Sequence, residues 1–146
     1  MPRSLRSVLL LVAVIALVFT ALALVSPSRA SVLAEVDKAT QTMRVTAGDT
    51  VYVWPVSTAG RGAVTPTGTF RPYWLSKHHR SRKYRWAPMP NAVFYEGDYA
   101  IHGTLDEHLI GKPASRGCVR LKVAHSKIFY DLVERYGKHN VRIVIA

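Results

Sequence analysis

Past residue 30 the chain alternates apolar and polar positions with a period of two, the spacing of strands with one buried face. Val32, Ala34 and Val36 alternate with Leu33, Glu35 and Asp37. Residues 42–46 and 50–56 then flank Ala47-Gly48-Asp49, a short Gly-containing loop of the hairpin type. Residues 57–68, STAGRGAVTPTG, are small and rich in Gly and Pro and read as a loop, after which residues 69–75 turn apolar and aromatic again. The basic stretch KHHRSRKYRW, residues 77–86, reads as a solvated loop, with a lid or groove wall as the functional alternative. A second hairpin is expected from residues 92–95 and 99–102 around Glu96-Gly97-Asp98. Near the end the period changes: Val123, Phe129, Leu132, Val133 and Tyr136 recur at helical spacing, Gly137 is a helix stop, and residues 141–145 form a last apolar strand. The pattern predicts a mostly β domain with one substantial helix near the C-terminus.

The first thirty residues lack this alternation. Arg3 and Arg6 precede residues 8–25, which are apolar except for Thr20, and Ser28-Arg29-Ala30 then offers small residues at the two positions a signal peptidase inspects. This is a secretory signal whose cleavage would leave Ser31 first. The apolar run is long for that purpose, about 27 Å as a helix, so a retained single-pass anchor is the alternative. In either case residues 31–146 are expected outside the cytoplasm, periplasmic or extracytoplasmic, with the membrane touched only through the N-terminal segment. No cysteine follows the apolar run closely enough to be lipidated. Residues 31–146 suffice for one compact domain and are too few for two.

Charge changes the picture of partners. The chain carries a formal +11, and removing the three arginines of the first thirty residues, which hold no acid, leaves +8. A basic domain is often a nucleic-acid binder. In an exported one the available polyanions are envelope polymers and lipid headgroups, so no nucleic-acid partner is expected.

The chain has one cysteine, Cys118, in PASRGCVRL. An oxidising compartment favours disulfides, and a lone cysteine cannot form one internally, which leaves a buried small hydrophobe or a reactive thiol. An ordinary thiol is only a few per cent thiolate at neutral pH, so a catalytic one needs a neighbouring base. His102 stands sixteen residues earlier at the expected end of a strand, and Cys118 opens another β-like run. Neighbouring strands would bring them together, with Gly103 and Gly117 allowing close backbone approach and the N–H groups near Gly117 and Cys118 available to a developing oxyanion. The bare pair leaves open a buried cysteine and a hydrogen-bonded histidine on unrelated strands. His78, His79 and His108 add no ligand spacing of a known zinc type, so neither metal nor cofactor is expected.

The residues IHGT at 101–104 and GKPASRGCVRL at 111–121 resemble the active-site signature of the L,D-transpeptidase catalytic domain, the YkuD-like family. VSTAG at 56–60, TPTGTF at 65–70 and APMPNAVF at 87–94 agree with it in order and spacing. The resemblance implies a β-sandwich with a packed helix and a cysteine that takes a peptide's acyl group as a thioester. It makes Cys118 the nucleophile, His102 its base, the backbone around Gly117 the oxyanion site, and Gly103 the group that orients the imidazole through its carbonyl. It implies peptidoglycan stem peptides as substrate, with a second stem, an envelope protein's lysine or a D-amino acid as acyl acceptor. Water as acceptor would make the same fold a carboxypeptidase or endopeptidase.

The chain departs from the family at Arg116, where a histidine is usual. A guanidinium there can favour the thiolate or hold a carboxylate. Arg120 matches a recurrent family position and is the candidate for the substrate's carboxylates. Ser115, Tyr84 and Met89 complete the expected binding residues, and Trp86 is a further candidate for the groove. A sortase-like enzyme also runs His, Cys, Arg along a β-rich exported chain. The Thr-Leu-x-Thr-Cys pattern is missing, however, and Cys118 and Arg120 stand too close together.

Overall fold

The computed structural model describes residues 31–146, and the expected signal or anchor over 1–30 lies outside the described residues. The strands are β1 (Val32–Asp37), β2 (Thr42–Ala47), β3 (Thr50–Pro55), β4 (Gly68–Phe70), β5 (Trp74–Ser81), β6 (Ala87–Glu96), β7 (Tyr99–Thr104), β8 (Val119–Lys122) and β9 (Val141–Ile145). One long helix, α1 (Val123–Tyr136), follows β8 directly. Among the described residues no helix is long and apolar enough to cross a membrane.

The strands form two sheets, one in the order β3-β2-β1-β9-β4 and one in the order β5-β6-β7-β8. Val32, Ala34 and Val36, the apolar half of the first alternation, are buried with Val45, Ile143 and Ile145 of the first sheet. The same cluster takes in Val93, Ile101, Val119 and Leu121 of the second sheet and Phe129, Leu132 and Val133 of α1. A single core therefore joins both sheets to the helix, which lies against β6, β7 and β8. The first turn of α1 has no side-chain cap from its own N-terminal residue; instead Glu107 accepts the Val123 N–H at 3.0 Å. At the other end the Gly137 N–H closes on the Val133 carbonyl.

The hairpins at residues 47–50 and 96–99 form with two-residue turns, Ala47 facing Thr50 and Glu96 facing Tyr99. Three readings from the sequence need correction. Residues 69–75 are not one run: β4 pairs with β9 in the first sheet and β5 with β6 in the second, and the chain changes sheets at Arg71-Pro72-Tyr73. The basic stretch is not wholly a loop, because residues 77–81 complete β5 and only 82–86 turn. β6 begins at Ala87 rather than 92, passing through Pro88 and Pro90 opposite Arg80 and His78. The turn and charged residues hid these strands, since the sheet needs their backbone and not an apolar side chain at every second place.

Candidate active site

The second sheet sends one face into the core and the other outward. Ile101, Val119 and Leu121 point in, so their alternates His102, Arg120 and Cys118 share the outer face. β7 and β8 are parallel, with Ile101 opposite Val119 and His102 opposite Arg120. Continuing that register one step sets Cys118 beside Ala100. A cavity of about 520 Å³ opens on this face, with Cys118, His102 and Arg120 lining it together with Tyr84, Met89, Arg116, Lys83, Asp98, Tyr99 and Thr104. His102 lies inside β7, two residues before its end, which carries the imidazole into the sheet's protection.

His102 is buried, 5% exposed, and its Nδ1 is 2.7 Å from the Gly103 carbonyl oxygen. A carbonyl only accepts, so Nδ1 carries the proton and Nε2 keeps its lone pair. Burial pushes the imidazole down to about 4; the Gly103 bond opposes this, and the Arg120 and His79 charges add to it. At neutral pH His102 is an uncharged base.

Cys118 is partly buried, with Sγ 3.8 Å from the Asp98 carbonyl oxygen. Burial raises the thiol above its ordinary value; an Ala100 backbone hydrogen bond and the Arg120 charge pull it down, Asp98 pushes it up, and Lys83 pulls it down. Arg116 points elsewhere, its Cζ 4.7 Å from the centroid of the Tyr84 ring. The sequence offered Arg116 for the thiolate or a carboxylate, and Arg120 for the substrate's carboxylates. The structure sets Arg120 beside Cys118 and His102, and Arg116 on the cavity's aromatic wall.

Two other expectations change. Ser115 does not line the cavity: it is 3% exposed, its hydroxyl donates to the Cys118 carbonyl at 2.6 Å, and its Oγ accepts the Gly117 N–H at 3.0 Å. The Gly117 N–H is thus already engaged and shapes the loop instead of facing the cavity. Gly117 is required sterically: its φ is +132°, and a Cβ would meet Tyr99 Cε1 at 2.4 Å and the Val64 carbonyl at 2.7 Å. Gly103 serves twice. Its carbonyl orients His102, and a Cβ on it would meet Ser126 Oγ of α1 at 2.6 Å.

The sequence did not reveal what holds the cysteine loop. Ser57 and Arg120 exchange both backbone hydrogen bonds, at 2.9 and 2.8 Å, and Ser115 N–H donates to the Thr58 carbonyl at 2.8 Å. Thr65 is 2% exposed; its hydroxyl accepts the Ala59 N–H at 2.9 Å and donates to the Gly117 carbonyl at 2.8 Å. Gln41 bonds Thr58 through both amide atoms, at 2.7 and 2.9 Å. The segments around 57–60 and 65 are therefore splints for residues 112–118, a role that small polar loop residues do not announce. Among the described residues no three His, Cys, Asp or Glu side chains gather as a metal site requires.

The family model for the L,D-transpeptidase catalytic domain (YkuD) matches residues 31–145, and the chain belongs to that family. Solved structures share the fold. An L,D-transpeptidase from Mycobacterium smegmatis aligns with a TM-score of 0.70 at 20% identity, over 80% of this chain and 59% of its own. One from Stackebrandtia nassauensis gives 0.69 at 22%, over 85% and 62%. L,D-transpeptidase 3 from Mycobacterium tuberculosis, in complex with a faropenem-derived adduct, gives 0.69 at 12%, over 80% and 60%. The chain spans less than two thirds of each of these structures. No curated protein sequence matches it.

Proposed function

We propose that residues 31–146 are the catalytic domain of an envelope L,D-transpeptidase acting on peptidoglycan stem peptides, with residues 1–30 as its export signal or anchor. The observation that carries this reading is the placement of Cys118, His102 and Arg120 on one face of adjacent parallel strands, in the wall of one cavity, within a chain of this family.

The thiol and imidazole are both neutral at rest. Cys118 gives its proton to His102 Nε2 as its sulfur adds to the carbonyl of the diamino acid in a donor tetrapeptide, and the oxygen of that carbonyl takes the negative charge of the tetrahedral adduct. The tetrahedral adduct collapses by breaking the bond to the terminal D-alanine, whose amine leaves with the proton held by His102. The thioester that remains is attacked by an acceptor amine, which gives a proton to His102; the thiolate leaves and regains that proton. The nearby Arg120 charge favours the thiolate without shifting the resting pair to ions. Lys83 and Arg116 make the cavity suitable for the carboxylates of the stem.

Incubating the purified protein with muropeptides and analysing the products by mass spectrometry tests the reading and separates crosslinking, exchange and hydrolysis. Cys118→Ala should abolish every product and leave the domain folded, and faropenem should add its mass to the peptide bearing Cys118. Turnover by the alanine variant, or an adduct on another residue, would sink the proposal.

A further inference from the structure

The outer face of the second sheet carries a feature that the thioester chemistry does not use. Antiparallel pairing sets Trp74 opposite Phe94 and Phe94 opposite Ala100. The parallel register then places Ala100 beside Cys118. Trp74, Phe94, Ala100 and Cys118 thus form one row running across four strands, from the sheet's edge to the thiol. Phe94, Ala100, Met89 and Ala92 form a small apolar cluster against which Cys118 packs, so the row is continuous.

Trp74 is held firmly at the outer end. Its ring stacks on Phe94 with centroids 4.7 Å apart and planes 25° apart, while His79 meets it edge-on at 5.3 Å. Phe94 is buried, yet Trp74 remains 45% exposed. One indole face is covered by Phe94, so the exposed area belongs to the other face and the rim. Tyr73 beside it is 50% exposed, with its hydroxyl tied to the Gly97 carbonyl. Both rings are fixed from one side, by Phe94, His79 and Gly97, and keep about half of their surface exposed.

We infer that Trp74, flanked by Tyr73, is a stacking subsite for a sugar ring of the glycan strand to which the donor peptide is attached. This rests on the proposed stem-peptide substrate. The axial C–H groups of a pyranose present an apolar, weakly positive face that suits the negative face of an indole. The distance fits as well. Three strand spacings of about 4.8 Å place Trp74 about 14 Å from Cys118. The attacked carbonyl belongs to the third residue of the stem; three extended residues span about 10–11 Å, and the lactyl link to the sugar adds about one residue more. Phe94 and Ala100 are buried and line no part of the cavity, so a stem that leaves the cavity and crosses above them toward β5 would bring its first sugar over the indole.

The test compares the tetrapeptide alone with the same tetrapeptide carried on its disaccharide. Trp74→Ala should lower kcat/KM for the disaccharide substrate about three- to tenfold and leave the free tetrapeptide within about twofold, with Trp74→Phe recovering part of the loss. In the wild type, triacetylchitotriose should shift the Trp74 indole N–H resonance. Equal loss on both substrates, loss on neither, or self-association that disappears in Trp74→Ala would overturn the subsite. If the wild type turns over neither substrate, the underlying reading fails, and the sugar titration alone decides the subsite: an unmoved indole resonance refutes it.

Discussion

At the level of single residues, the site depends on which charge reaches the thiol. Arg116 and Arg120 flank Cys118 at equal distance in sequence, and sequence alone offered Arg116 to the thiolate or to a carboxylate and Arg120 to the substrate. Strand alternation decides otherwise. Arg120 is two residues from Cys118 in an extended segment and so shares its face, while Arg116 precedes the positive-φ residue Gly117 and turns to Tyr84. Removing a cation that favours the thiolate raises the thiol's pKa. Arg120→Gln should therefore shift the midpoint of Cys118 alkylation by iodoacetamide to higher pH, each unit corresponding to about 1.36 kcal/mol of lost thiolate preference. Arg116→Gln should leave the midpoint in place. A larger shift for Arg116→Gln would return the thiol to that residue.

At the level of elements, the site is built where a loop is splinted between strands. The Thr65 hydroxyl is the densest point of that splint, bonding both Ala59 and Gly117. Thr65→Val keeps the volume and leaves a half-buried N–H and a buried carbonyl without their partner, a cost of about 1–3 kcal/mol. Urea unfolding should report this loss. Turnover should fall further than stability accounts for, because the Gly117 carbonyl adjoins Cys118, the nucleophile of the proposed reaction. An activity loss explained wholly by the unfolded fraction would make Thr65 a stability residue only. The helix followed from its periodicity, and so did its stop at Gly137. β5 and the start of β6 did not, because their outward positions hold Lys, His, Arg and Pro, which mimic a loop when the paired backbone is unseen.

At the level of the whole molecule, burying His102 links the site to stability. Its folded pKa of about 4 lies below the ordinary imidazole value of 6.5. Between these values the unfolded chain binds a proton that the folded one refuses, so stability falls as pH drops from 6.5 to 4 and this contribution levels off below 4. The size is up to about 3 kcal/mol. Chemical unfolding across this range should show the slope, and His102→Gln should flatten it. His79 and His125, also lowered by burial, leave a smaller residual slope. An unchanged slope in His102→Gln would place the proton uptake elsewhere.

The sequence by itself determined the mostly β class, the first hairpin, the helix and the family, because these rest on local periodicity and on motifs whose residues are near neighbours in the chain. It also pointed to Cys118 and His102. Only the tertiary structure decided that they share a face: that follows from the register of β7 on β8, which no local pattern encodes. The same holds for Ser115, whose hydroxyl is turned inward by the loop, and for Thr65, whose partners are 6 and 52 residues away. It holds for the row from Trp74 to Cys118, where residues from four strands align only once the sheet is assembled. Alternation tells which side of a strand is buried; which neighbours a side chain meets depends on pairing between distant segments.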